Sequence, residues 1–315
     1  MCGIVGFFDK SDDAAPVGAT VLAMLSALGC RGPDSAGIAW WGRQAGGLVV
    51  RVKPGDGGDA AARRREITKR ARALGRARVS SAGGSLLRLE VAKADPTDLA
   101  RAIEDVASDV EVVSMGQRLE IVKQVGAPQS LERDFGVSKL AGRHALGHTR
   151  LSTESRVDLS HSQPFWAHGC PDLAIVHNGH ITNYHRLRRL YEQEGVRFYT
   201  ENDSEIIGIY LARKLSAGAS LDEALRDSVK ELDGSFSYLA ATADAFGFAK
   251  DPFCLKPLIV AESDGAVAIA NEEIALAAAL PAGYRAREAG ASAVGLWQRV
   301  AVAPRRRSSR GGKAA

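Results

Sequence analysis

Position 2 of the chain is a cysteine. If the initiator methionine is removed, the thiol and a free α-amine sit on one residue. A thiol ionises at about pH 8.5 and an α-amine at about 7.7 to 8.0. The amine can then take the thiol proton, directly or through water, and later return a proton to a leaving group. The thiolate is the nucleophile, and such a site needs no histidine. Taken alone, Cys2 reads first as an incidental small residue. Cys30, Cys170 and Cys254 form no Cys-x-x-Cys pair with it or with each other, which argues against structural zinc. Those three read as small buried hydrophobes. All seven histidines fall between His144 and His185. Such clustering can mark a metal site, but thiol chemistry of this kind uses none, and no metal is expected.

Further along the chain, short motifs follow one another. They are Cys2-Gly3-Ile4-Val5-Gly6, Arg31-Gly32-Pro33-Asp34-Ser35-Ala36-Gly37, Gly147-His148-Thr149-Arg150-Leu151-Ser152-Thr153, His177-Asn178-Gly179 and Asn202-Asp203-Ser204-Glu205. In this order they closely resemble the class II glutamine amidotransferases, a branch of the N-terminal-nucleophile hydrolases. The resemblance covers about residues 1–43 and 143–282. It implies an enzyme in which Cys2 attacks the side-chain amide of glutamine, giving a γ-glutamyl thioester and ammonia. The Asn178 side chain and the Gly179 backbone N–H would form the oxyanion hole. Isolated from the set, Asn-Gly would read as a hairpin turn. Arg150 would grip the α-carboxylate, since a guanidinium fork fits a carboxylate bidentately. Asp203 would pair with the α-ammonium group and also open a helix. Arg31 and the carbonyl side of Gly32 would lie near the N-terminal amine.

Gln163-Pro164-Phe165 is similar to the glutamate-synthase-like branch, which includes the separate amidotransferase subunits of N-methylglutamate synthase. Leu151 departs from the family, several members of which carry an aromatic there. This finer resemblance implies a hetero-oligomer, while a cytoplasmic chain is expected because Asp9, Asp12 and Asp13 fall where a signal-peptide core would have to continue. Synthase subunits would use the ammonia, and FMN and an iron–sulfur cluster would sit on those partners, with no cofactor on this chain. Two alternatives stay open: a stand-alone γ-glutamyl amidase, and a non-catalytic glutamine-binding regulatory subunit.

The elements that must position these residues can be read in part. The chain opens as a strand through Phe8. Apolar spacing predicts a helix over 19–28 and a strand over 38–41. A buried strand over 173–176 should end at His177-Asn178-Gly179. Asn183 should cap a helix over 184–194. Helices are expected over 203–215, 221–232 and 272–280, and strands over 235–242, 258–262 and 266–270. Clustered strands and helices favour antiparallel sheets with helices outside over a doubly wound parallel fold. The family resemblance sharpens this to an α+β, four-layer αββα sandwich. One domain is expected over 1–300, with an inserted segment at about 44–142, followed by a basic disordered tail at 301–315. The insert shows no chemistry, though Asp95-Pro96-Thr97-Asp98 reads as a helix start ahead of 99–106 and 112–125 as one or two strands. It carries eight Arg or Lys and one Glu over 63–78, a composition that reads as a solvated helix face.

Composition excludes several classes. The 315 residues are 45% hydrophobic and 25% charged, as in globular domains. No apolar run reaches the roughly 20 residues of a membrane helix. Aromatics are only 6%, too few for a nucleic-acid stacking platform. The net charge is +4, and the last eleven residues supply five of the positive charges. The basic excess is therefore a property of the tail.

Overall fold

The computed structural model describes residues 2–11, 13–80, 85–152 and 156–298. Met1, Thr153 and the basic tail lie outside them. The first stretch holds β1 (Gly3–Asp9), α1 (Val17–Ala27) and β2 (Ser35–Trp41). The second holds β3 (Leu48–Lys53), α2 (Ala60–Leu74), β4 (Arg76–Ser80), β5 (Leu87–Ala92), α3 (Pro96–Glu104), β6 (Glu111–Gly116), β7 (Leu119–Val125) and α4 (Gln129–Phe135). The third begins with β8 (His144–Arg150), β9 (Phe165–Trp166), β10 (Ala174–Ile181), α5 (Tyr184–Gln193), α6 (Ser204–Ser216) and α7 (Leu221–Glu231). It ends with β11 (Gly234–Ala241), β12 (Ala245–Lys250), β13 (Ile259–Glu262), β14 (Ala266–Ala270), α8 (Glu273–Ala277), β15 (Arg285–Glu288) and β16 (Val294–Gln298).

A seven-stranded sheet runs β15-β13-β14-β1-β8-β2-β7, and a five-stranded sheet runs β16-β12-β11-β10-β9. Their named pairings are antiparallel. The two sheets pack face to face. Side chains alternate across a strand, and both faces of β1 are covered, so its sequence is apolar from Gly3 through Phe8. Ile4 and Phe8 enter the core between the sheets with Leu146, Val176, Leu239 and Phe246. Val5 and Phe7 face the other way, into the core under α1. Val17, Val21, Met24 and Leu25 of α1, with Leu28 beyond it, supply that core at helical spacing. On the outer face of the five-stranded sheet, Ile175, Phe236 and Tyr238 meet apolar residues of α5, α6 and α7. The result is the four-layer αββα sandwich. Gly6 permits the close approach of its two sheets, because a Cβ there would fall 2.6 Å from Phe246.

The segment between β2 and β8 builds a further sheet, β4-β5-β3-β6, against which α2 and α3 pack through Ile67, Ala71, Leu99 and Ile103. Its last strand, β7, returns to the seven-stranded sheet beside β2. The basic run lies on α2 and β4. Four local expectations are corrected. Cys30 is exposed and Cys170 and Cys254 are half-buried, so none of the three is a core hydrophobe. β10 does not end at His177-Asn178-Gly179 but continues to Ile181, held by eight paired residues of β11. Asn183 makes no cap bond with its side chain. Its Nδ2 donates to Glu231 O (3.0 Å) and its Oδ1 accepts from Asp233 N (3.1 Å), partners at the last residue of α7 and just after it. Asp203 does not cap α6 either. Its carboxylate is taken by the edge of β10.

Candidate active site

Cys2 precedes β1 and shares the face of Ile4 and Phe8 by alternation, the face that looks between the sheets. On β8 the same rule follows from Leu146 and puts His148 and Arg150 on that face. Gly3 pairs with Thr149 and Ile4 with His148, so the register sets Cys2 beside Arg150. On the opposing sheet Ala174 and Val176 face inward, which turns the Asn178 side chain toward Cys2 from across the sandwich. A cleft of about 900 Å³ opens here, lined by Cys2, Arg150, Asn178, Gly179 and Asp203 among others. Five residues from four segments thus meet in one cavity. Arg31 and Gly32 stand behind it. Arg31 Nε donates to Cys2 O (3.2 Å) and its guanidinium pairs with Glu272. The Gly32 carbonyl accepts from Thr149 Oγ1. A Cβ on Gly32 would lie 2.5 Å from Arg150 N, so glycine lets the loop close over the end of β8.

The outer edge of β10 explains Gly179. Phe236, its partner on β11, spends its N–H on Asp251 Oδ2 (2.9 Å) and its C=O on Asp251 N (3.0 Å). Both groups point away from β10, so the Phe236–Gly179 pair is of the non-hydrogen-bonded kind. The main-chain groups of Gly179 therefore point off the opposite edge. Along that edge Ile175 pairs with Phe165. His177 is met by Gln163, whose Oε1 accepts from His177 N (2.6 Å) and whose Nε2 donates to His177 O (3.2 Å). Ile181 N donates to Asp203 Oδ2 (2.8 Å). Gly179 falls between the last two and faces the cleft. Its φ of +148°, and a Cβ position only 2.2 Å from Ser235 O, admit no side chain there.

Among the described residues nothing accepts from the buried Asn178 Nδ2. A buried donor left without an acceptor is costly, and here it lies beside the nucleophile. Arg150 is 4% exposed. Its Nη1 donates to Arg156 O (2.8 Å) and its Nη2 to Ser152 Oγ (3.5 Å). Ser152 N donates to Asp34 Oδ2 (2.7 Å), which ties the turn after β8 to the loop before β2. Asp203 also lies 3.4 Å from His180 Nδ1 and 3.9 Å from His177 Nδ1.

The histidines have separate surroundings. His144 stacks on Trp41 at 4.6 Å and bonds Thr242 O. His177 Nδ1 meets Ser204 Oγ at 2.8 Å. Burial pushes His144 and His148 down to about 3, with positive Arg150 adding to the effect at His148, and burial lowers His177 too. All three are neutral near pH 7. Among the described residues no group of three or more His, Cys, Asp or Glu is disposed to hold a metal ion.

Two residues acquire structural weight that sequence reasoning missed. Gln163 serves β10 as an extra strand residue. Glu205 accepts from Tyr199 N (2.8 Å) and Thr200 N (2.9 Å) and shapes the wall before Asp203. The available signal was a polar residue opening the apolar run Gln163-Pro164-Phe165-Trp166, and an acid in the first turn of a helix.

The cleft lining is mostly polar, with Leu151 its one exposed large aliphatic side chain among the described residues. Nine large hydrophobic side chains are exposed among the described residues. Five of them, Val125, Leu151, Phe253, Leu255 and Ile274, sit just beyond or at the strand ends on the Cys2 side, by the register of β7, β8, β13 and β14.

Comparison with known proteins bears on this arrangement. A family model described as a glutamine amidotransferase domain matches residues 148–278. The chain is 38% identical over 283 residues to a putative glutamine amidotransferase of Methanothermobacter thermautotrophicus, covering 88% of this chain and 93% of that protein. It is 35% identical over 281 residues to the glutamine amidotransferase-like protein GlxB of Rhizobium meliloti, covering 88% and 91%. Among solved structures, a glutamine phosphoribosylpyrophosphate amidotransferase of B. subtilis superposes with a TM-score of 0.61 at 20% identity. The match covers 94% of this chain and 47% of that one, so the chain spans about half of its length.

Proposed function

The chain belongs to the class II glutamine amidotransferase family, enzymes of amide hydrolysis and transfer, and from this we propose that it cleaves glutamine through a Cys2 thioester and supplies partner synthase subunits. Arg150 binds the α-carboxylate and Asp203 the α-ammonium group, which aims the side-chain amide at Cys2. The α-amine of processed Cys2 takes the thiol proton as sulfur attacks the amide carbon. Asn178 Nδ2 and Gly179 N–H receive the oxyanion. Preorganised donors of this kind need no rearrangement during reaction. The C–N bond then breaks, the amine returns its proton to nitrogen, and ammonia leaves. Water cleaves the thioester, giving glutamate and the free thiol.

The observation that carries this reading is the meeting of Cys2, Arg150, Asn178, Gly179 and Asp203 in one cleft. The test is ammonia release from glutamine together with intact mass after a glutamine-like diazoketone. One adduct on a chain lacking Met1, absent in Cys2→Ala, is expected. Full ammonia release by Cys2→Ala would end the thioester reading.

The partner reading draws support from the similarity of Gln163-Pro164-Phe165 to the glutamate-synthase-like branch, and from exposed apolar side chains such as Phe253 and Leu255 beyond the strand ends on the Cys2 side. In it, the partners resemble those of glutamate synthase or N-methylglutamate synthase and carry the FMN and iron–sulfur cluster. Glutamine hydrolysis should rise when such subunits are added. An unchanged rate in the assembled complex would favour the stand-alone amidase.

A further inference from the structure

The inserted segment reaches the walls of the cleft from behind. Glu104, at the end of α3, is 2% exposed. A carboxylate held so far from water is costly unless it is well bonded. Glu104 collects donors from three separate stretches of chain. Val112 N donates to Oε1 at 3.1 Å. His168 Nε2 approaches the same oxygen at 3.3 Å. The Tyr199 hydroxyl donates to Oε2. Val112 belongs to the insert, whereas His168 and Tyr199 do not.

Tyr199 is a cleft-lining residue, as are Thr200, Glu201, Asn202 and Asp203 after it. Its ring stacks on His168 with centroids 3.9 Å apart and planes 16° apart. Its N–H and that of Thr200 end on Glu205. Arg197, just before it, lies over the same ring at 5.0 Å and pairs with Asp105 of the insert at 3.9 Å. On the other wall, Lys53 of β3 reaches Ser160 Oγ at 3.4 Å, in the loop whose Arg156 carbonyl holds Arg150.

We propose that the inserted segment is part of the substrate-binding apparatus, with Glu104 a positioning residue that fixes the 199–203 wall, and so Asp203, through Tyr199. This rests on the glutamine reading of the cleft. A wall fixed before substrate arrives loses less freedom on binding, and preorganisation of this kind raises affinity. The tether does not touch Cys2 or the oxyanion donors. Its loss should weaken binding of ground state and transition state alike, raising KM and leaving kcat near its value.

The test uses the full chain with Tyr199→Phe, Glu104→Ala and Glu104→Gln. Glutamine kinetics are measured beside hydrogen exchange over 198–205 and modification of Cys2 by iodoacetamide, a small reagent that needs no wall. Tyr199→Phe and Glu104→Ala are expected to raise KM about tenfold, with kcat within threefold and the iodoacetamide rate unchanged. Exchange over 198–205 should quicken. Glu104→Gln can accept from Val112 N with its oxygen and donate to the tyrosine hydroxyl with its nitrogen, and should restore KM to within about threefold. A KM within twofold of wild type in Tyr199→Phe overturns the proposal. So does a matched fall in kcat with an altered iodoacetamide rate, which marks a general structural defect. If wild-type chain releases no ammonia, the glutamine reading fails by itself. Exchange then decides the tether: unchanged protection in Tyr199→Phe overturns it.

Discussion

Gln163 pairs with the main chain of His177 as though it were one more residue of a neighbouring strand: its side-chain oxygen accepts the N–H at 2.6 Å and its nitrogen donates to the C=O at 3.2 Å. The same nitrogen reaches Ser204 Oγ at 3.1 Å. One buried amide thereby ties the edge of β10 to the start of α6, with Gly179 and Asp203 on either side. Gln163→Ala leaves two buried main-chain groups unpaired, at about 1–3 kcal/mol for such a group. A lower melting temperature and at least a tenfold fall in kcat are expected. Activity within twofold of wild type would show that Gly179 holds its place without Gln163.

Asn178→Ala removes the buried donor and leaves the strand pairing intact. Loss of one oxyanion donor costs ~10²–10³ in rate, so kcat for glutamine should fall by that factor with little change in KM or in melting temperature. Gly179→Ala should behave differently. Its Cβ would meet Ser235 O at 2.2 Å, so stability and activity fall together. Steady-state kinetics beside thermal melts separate the two.

Arg150 is expected to act in binding. Arg150→Lys keeps a charge but loses the fork. Hydrogen bonds to charged groups contribute about 1.5–3 kcal/mol, so KM for glutamine should rise roughly 10- to 100-fold. γ-Glutamyl compounds whose α-carboxylate is amidated should be poor substrates of the wild type, and Arg150→Lys should penalise them much less. Equal penalties in both proteins would place the carboxylate elsewhere.

Acid should unfold the protein through its interior histidines. His144 and His148 take a proton only at about pH 3 in the folded chain, while an unfolded histidine does so at about 6.5. Between these values the unfolded chain binds more protons, so stability rises with pH and is lost as pH falls from about 6.5 toward 3. Each histidine contributes about 1.4 kcal/mol per pH unit inside that window. Denaturant unfolding at pH 7, 6 and 5 should show the decline. His144→Gln, which can still donate to Thr242 O, should flatten the slope by about one histidine's share. An unchanged slope would mean that His144 titrates normally.

The sequence was most legible where local pattern and tertiary demand agree. β1 and α1 show their apolar spacing because each buries a simple face or both faces. The five residues of the cleft were legible because each sits in a short motif. Other features depend on distant partners. β15 reads Arg-Ala-Arg-Glu with every residue exposed, so no alternation marks it as a strand, and it exists by pairing with β13. The insert was legible only in part: the expected one or two strands over 112–125 form as β6 and β7. β4 is largely exposed, whereas β5 reads Leu87-Arg88-Leu89-Glu90-Val91, an alternation that was available as a strand signal and that sequence reasoning missed. Asn183 and Asp203 have the residue types of helix caps. Both spend their side chains across space, and neither partner is adjacent in sequence.

Phe253, Leu255 and Ile274 are among the most exposed large hydrophobic side chains of the described residues, and all three lie toward the Cys2 end by the register of β13 and β14. A body of nearly balanced charge with several exposed apolar side chains toward one end associates most readily through that end. Two molecules meeting at that end would shield Phe253, Leu255 and Ile274, and Leu151, which lines the cleft, would draw the cleft mouth into the contact. Specific activity would then decline as protein concentration rises, and mild detergent would recover it.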